Sequence, residues 1–178
     1  MPSLDLENLE KRHPALTSAM AEAYFEAASV CFDRHHNKPS QVDINFENSR
    51  TLTLTANWVD ISPTIKRAYA NTIDTTEWGA YGVSFAAIEW DGLVAIHRAE
   101  TMSGADYYVA PEGSDPDDLE NALRLEVSGT DAGTRATCRS RLQAKVAQTK
   151  AANHSVPAMA SVVGFSERLI LISEVVGP

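Results

Sequence analysis

A chain of 178 residues with 44% hydrophobic and 22% charged side chains has the material for one buried core, which excludes a disordered, fibrous or low-complexity protein. Its net charge of −9 excludes tight, sequence-independent binding of nucleic acid over the whole surface, because neutralising phosphates takes clustered Lys and Arg. The first residues lack the basic start and apolar block of a signal peptide, and no apolar run approaches the roughly 20 residues that span a bilayer, so a bacterial-type cytoplasmic protein with no membrane partner is expected.

In chain order, Met20, Ala23, Tyr24, Ala27, Ala28 and Cys31 recur at steps of three and four, which predicts an amphipathic helix over Thr17–Phe32. The polar Asp33–Ser40 stretch follows, and then Val42, Ile44 and Phe46 alternate, as do Leu52 and Leu54, around Glu47-Asn48-Ser49. That pattern predicts a hairpin. Asp74-Thr75-Thr76-Glu77 resembles a capping box, with Glu77 at its third helical position, and opens a helix over Thr75–Glu89. Gly79 and Gly82 inside it are expected to permit close helix packing. Strands are predicted at Leu93–Glu100, Ala105–Val109 and Leu123–Val127, the last stopped by Ser128-Gly129-Thr130. Between the second and third lies a solvated loop, Pro111–Asp118. Cys138, Leu142 and Val146 mark a helix over Arg135–Ala151, ended by His154–Pro157. The apolar stretches Ala158–Gly164 and Leu169–Val176 complete a strand pair around Ser166-Glu167. Cys31 and Cys138, far apart and on helices, are expected as two reduced thiols.

Charge is spread unevenly along this order: −2 over residues 1–71, −11 over 72–131 and +4 over 132–178. Two acids interrupt apolar strands, Asp106 within Gly104-Ala105-Asp106-Tyr107-Tyr108-Val109 and Glu126 within Leu123-Arg124-Leu125-Glu126-Val127-Ser128. A buried carboxylate needs a partner, and two that converge near strand ends suit a hard divalent cation such as Mg²⁺ or Mn²⁺. The alternative is a solvated sheet face or pairing with Arg98 or Arg124. Histidines 13, 35, 36, 97 and 154 have no spacing typical of a zinc site, and neither a Gly-rich phosphate loop nor a GxSxG elbow is present.

The Gly104-Ala105-Asp106 and Leu125-Glu126-Val127-Ser128 strings, set in a helix, three strands, helix, strand order, resemble the restriction-endonuclease-like or PD-(D/E)xK nuclease superfamily over about residues 73–176. In particular, they resemble a bacterial branch with Ser in place of the motif Lys. The resemblance implies an α/β core, a mixed central sheet flanked by helices, over residues 73–178, with residues 1–72 as a helix and strand extension packed on it. It implies metal ligands at Asp106 and Glu126, and a contribution from Glu77 on the preceding helix. The motif lysine falls at Ser128, which cannot neutralise developing phosphate charge alone. Some members of the superfamily move that residue onto the following helix, where Arg141, Lys145 and Gln148 stand at i, i+4 and i+7. Lys145 is the candidate. Arg135, Arg139, Arg141, Lys145 and Lys150 form the one basic stretch suited to a phosphate backbone. Two functions follow as expectations: a magnesium-dependent nuclease, or a non-catalytic nucleic-acid-binding or protein-interaction module on the same core. A homodimer is also expected, through the apolar faces of the N-terminal helix and hairpin.

Overall fold

A computed structural model describes residues 2–47, 49–101, 103–151 and 157–175. Asn48 of the expected turn, His154 at the expected end of the last helix and Val176 at the end of the last strand lie outside them. The elements run β1 (Ser3–Leu4), α1 (Ser18–Asp33), β2 (Ser40–Phe46), β3 (Arg50–Ala56), α2 (Pro63–Ala68) and α3 (Thr72–Ile88). They continue with β4 (Leu93–Arg98), β5 (Tyr107–Pro111), β6 (Leu123–Thr130), α4 (Arg135–Ala151), β7 (Ala158–Gly164) and β8 (Leu169–Val175). The protein is of mixed α+β class, with all eight strands in a single curled sheet of order β1-β3-β2-β8-β7-β6-β5-β4. Residues 1–72 supply three of those strands, and β2 enters the middle of the sheet, parallel to β8.

The sheet is mixed because β6 and β7 are joined through α4 and so run parallel, whereas β4, β5 and β6 are antiparallel neighbours. The three strands expected at its centre therefore occupy one flank, with β4 at the edge. The centre is formed instead by β2, β8 and β7, and pairing between β2 and β8, remote in sequence, leaves no local signature.

One face of the sheet carries α1 and α3. Leu54, Ile44, Leu125, Met159, Val163 and Ile172 point into this layer and pack on Tyr24, Ala28, Phe32 and Phe85. From Gly79 to Ile88 helix α3 is buried all round because it is enclosed between α1 and the sheet, so no single stripe marks it. The two helices meet closely: a Cβ on Gly79 would stand 3.0 Å from the backbone nitrogen of Ala28, and one on Gly82 would stand 3.2 Å from the Tyr24 carbonyl oxygen. These two glycines do permit the close packing expected of them. The other face carries α4 alone, over a smaller cluster of Cys138, Leu142, Ala160, Val162, Leu169 and Leu171. Both cysteines are buried and free, and burial pushes the Cys31 thiol up to about 12, leaving it protonated and inert. The apolar faces that suggested a dimer are covered within the chain, α1 by α3 and the β2–β3 hairpin by the shared core.

Several boundaries differ from expectation for local reasons. Asn71, not Asp74, caps α3: its side chain accepts from the N–H of Ile73 and Asp74 and donates to the Asp74 carboxylate at 2.8 Å. Glu77 is thereby released from any capping duty. Strand β5 begins at Tyr107, after a turn with Gly104 at φ +68°, so Asp106 precedes the strand instead of interrupting it. Strand β6 does not stop at Ser128 but runs to Thr130. Gly129 serves there to admit a helix, since a Cβ would lie 2.6 Å from the Thr76 carbonyl oxygen.

The N-terminal segment contacts both edges of the sheet. Residues 3 and 4 pair with β3 as β1, while on the opposite edge the N–H of Ala95 in β4 donates to His13 Nδ1 at 2.9 Å and the Ala95 carbonyl accepts from Ala15 at 3.1 Å. Because Nδ1 accepts, Nε2 of the fully buried His13 carries the proton, which it donates to Glu89 at 2.8 Å.

Candidate functional site

Strands β5 and β6 differ in length, and the mismatch makes the site. Their pairing ends at Tyr107 and Leu125, while β6 continues for five residues beyond it. Asp106 occupies the next position of the ladder. Its own N–H donates to the Leu125 carbonyl at 2.9 Å, and its Oδ2 accepts from the N–H of Val127 at 2.8 Å. A carboxylate therefore stands where the neighbouring strand would have offered a carbonyl. Backbone groups of alternate residues point to the same side of a strand, so the Gly129 carbonyl faces the same open edge, where it accepts from Arg141 at 3.1 Å.

A cavity of about 450 Å³ lies along this edge, lined among others by Thr76, Glu77 and Tyr81 from α3, by Asp106, and by Arg141 and Lys145 from α4. Side chains of the two helices on opposite faces of the sheet thus line one cavity past the end of β5. From α3, the Tyr81 hydroxyl contacts Asp106 Oδ1 at 3.0 Å and Glu77 Oε1 at 3.2 Å. Burial, reinforced by the Asp106 charge, holds the Tyr81 phenol well above its ordinary range, so it stays a donor at neutral pH. The Arg98 guanidinium sits over the Tyr81 ring, 5.0 Å from its centre, and over Tyr107 at 4.5 Å.

From α4, Lys145 Nζ donates to Glu126 Oε2 at 2.8 Å. Glu126 is a buried residue on the α4 face of β6, its side chain 10% exposed against 27% for Lys145. Arg141, one turn earlier, also reaches the Ser128 hydroxyl at 3.4 Å. The four residues expected at a site accordingly fall into two pairs. Asp106 and Glu77 are joined through Tyr81, Glu126 is joined to Lys145, and the pairs adjoin because Lys145 lines the cavity that holds Asp106. Among the described residues, no group of three or more His, Cys, Asp or Glu is gathered as a metal cage.

The basic stretch on α4 is divided. Arg135 is engaged by Asp43 at 3.2 Å and Glu167 at 3.5 Å, while Arg139, Arg141 and Lys150 lie at the surface. Sequence reasoning missed Tyr81 and the bracing of Arg141 against β6. The spacing of Glu77 and Tyr81, one helical turn apart, was the available signal for the first; nothing local announced the second.

No family model, curated protein or solved structure matches the chain. Among the described residues, no helix is long and apolar enough to cross a membrane.

Proposed function

We propose that the chain is a metal-dependent nucleic-acid phosphodiesterase of the PD-(D/E)xK type, built on a restriction-endonuclease-like core of α3, β4, β5, β6, α4 and β7. The observation that carries this reading is the 2.8 Å contact between Lys145 and Glu126. Ser128 stands where the motif lysine is expected, and an amine from the following helix reaches the same third-strand acid from the other direction. Asp106, Glu126 and Glu77 are the proposed ligands of Mg²⁺ or Mn²⁺. Their oxygens suit a hard cation, and Mg²⁺ is commonly held by one or two carboxylates, with water and substrate phosphate completing the shell. The ion would polarise the scissile phosphodiester and lower the pKa of the attacking water. Lys145, positioned by Glu126, neutralises charge that develops on the phosphate, and Arg141, braced on the Gly129 carbonyl, holds the adjoining backbone phosphate.

The test has two arms. Mn²⁺ should raise the melting temperature by an amount that grows with its concentration, and Asp106→Asn or Glu126→Gln should abolish the rise. Single- and double-stranded DNA and RNA should be cleaved only with metal present, and Lys145→Ala should cut turnover at least 100-fold while leaving the metal-dependent rise intact. Loss of both metal stabilisation and cleavage across all four substrates would favour the second reading, a binding or assembly module that keeps the core without hydrolysis. That reading is favoured by Ser128 itself.

A further inference from the structure

Tyr81 touches two of the three acids, and it has one proton to give. A phenol donates a single hydrogen bond, yet its oxygen stands 3.0 Å from Asp106 Oδ1 and 3.2 Å from Glu77 Oε1. If the proton goes to Asp106, the nearer oxygen, then Glu77 faces a phenol lone pair at hydrogen-bond distance. The Glu77 contact then has no proton between its two oxygens; the Arg98 guanidinium, which also bears on the Tyr81 hydroxyl, offsets part of that repulsion, and a cation beside the two acids relieves the rest. The arrangement is held in place from several sides. The Tyr81 ring lies 5.4 Å from Tyr24, 5.6 Å from Tyr107 and 6.4 Å from Phe85, centre to centre, with Arg98 over it. Asp106 is fixed independently by the Val127 N–H on its other oxygen. The hydroxyl therefore has little freedom to turn away from either acid.

We propose that Tyr81 is the positioning residue of this site, its hydroxyl fixing the Asp106 and Glu77 carboxylates about one point and so setting their affinity for a divalent cation. The proposal rests on the metal reading above. Partners outside the coordinating atoms typically govern metal affinity by 10- to 100-fold, and a bridging hydroxyl in a walled position is such a partner.

The experiment is a calorimetric titration of the intact chain with Mn²⁺ alone, without nucleic acid, alongside melting temperatures in chelator. Tyr81→Phe keeps the ring and its packing and deletes only the O–H. Its Kd for Mn²⁺ should rise at least tenfold. Tyr69→Phe, which breaks a hydrogen bond to the Ala23 carbonyl and touches neither acid, should stay within twofold of the unmodified chain. Glu77→Gln removes the charge opposed to the phenol lone pair and supplies an amide donor in its place. It should raise the melting temperature in chelator while weakening Mn²⁺ binding, a combination that a purely structural contact does not produce, and it decides the matter if Tyr81→Phe fails to fold. Mn²⁺ binding by Tyr81→Phe within twofold of the unmodified chain overturns the proposal, as does a lower melting temperature of Glu77→Gln in chelator. If the unmodified chain binds no Mn²⁺, the metal reading itself falls, and the role of Tyr81 falls with it.

Discussion

The two faces of the sheet are packed to different standards. On the α1–α3 face, helix backbones approach one another and the sheet at glycine contacts, and an aromatic group of Tyr24, Tyr81, Phe85 and Tyr107 fills the space between. On the other face, a single helix rests on a cluster of six buried residues, its close approach being a side chain and not backbone, Cys138 Sγ over Gly164. The cavity draws on both, taking Glu77 and Tyr81 from the dense side and Arg141 and Lys145 from the sparse side. Tyr81 is thus rooted where packing leaves little room to move, Glu77 stands exposed one turn before it, and the two cations come from the thinner layer. A difference of this kind is visible in substitutions, because a close-packed interior resists added volume more than a thin layer resists its loss.

The largest effect is expected at Gly129→Ala. Its Cβ would meet the Thr76 carbonyl oxygen at 2.6 Å and the Thr76 methyl at 2.8 Å, and backbone cannot swing aside, so denaturant unfolding should report a loss on the order of 3 kcal/mol. Leu142→Ala, on the sparse face, should cost about 2 kcal/mol, at the low end for a buried leucine because one helix can settle onto the gap. If Leu142→Ala proves the more damaging of the two, the contrast between the faces is wrong. Smallest is Tyr24→Phe, about 1 kcal/mol for one buried hydrogen bond, and its value lies in its pH dependence. Burial and the bond to Tyr107 raise the Tyr24 phenol well above its ordinary 10.0. Above that pH the unfolded chain releases a proton that the folded chain keeps, so stability should fall as pH climbs beyond 10. Urea midpoints measured from pH 8 to 11 should decline less steeply in Tyr24→Phe than in the unmodified chain; equal slopes would place the titration elsewhere.

The sequence made the elements legible and left their assembly largely hidden. Helix α4 has the expected bounds because an exposed helix on one face of a sheet must carry a single apolar stripe, and that stripe is periodic. That Arg141 and Lys145 share one flank of that helix was legible from their spacing, but the contact of Lys145 with Glu126 was not, because the sequence offered Arg98 or Arg124 as partners of the acids. Helix α3 is harder because it is buried on all sides from Gly79 to Ile88: Tyr81, Val83 and Phe85 alternate as in a strand, and the Asp74 pattern competes with the true cap at Asn71. Gly129 looked like the end of a strand and instead marks where a helix comes closest to one.

Residues 2–15 have a consequence that follows from where they attach. They hydrogen-bond to β3 at one margin of the sheet and to β4 at the other, with Leu4, Leu6 and Leu9 buried between. The nine residue steps from Leu4 to His13 extend at most about 30 Å, so this segment works as a clasp that sets how far the curled sheet can open. It also occupies, with His13 and Ala15, backbone groups of an edge strand that would otherwise template the addition of foreign strands. Undoing the clasp bares both margins at once, which makes the start of the chain a safeguard against aggregation.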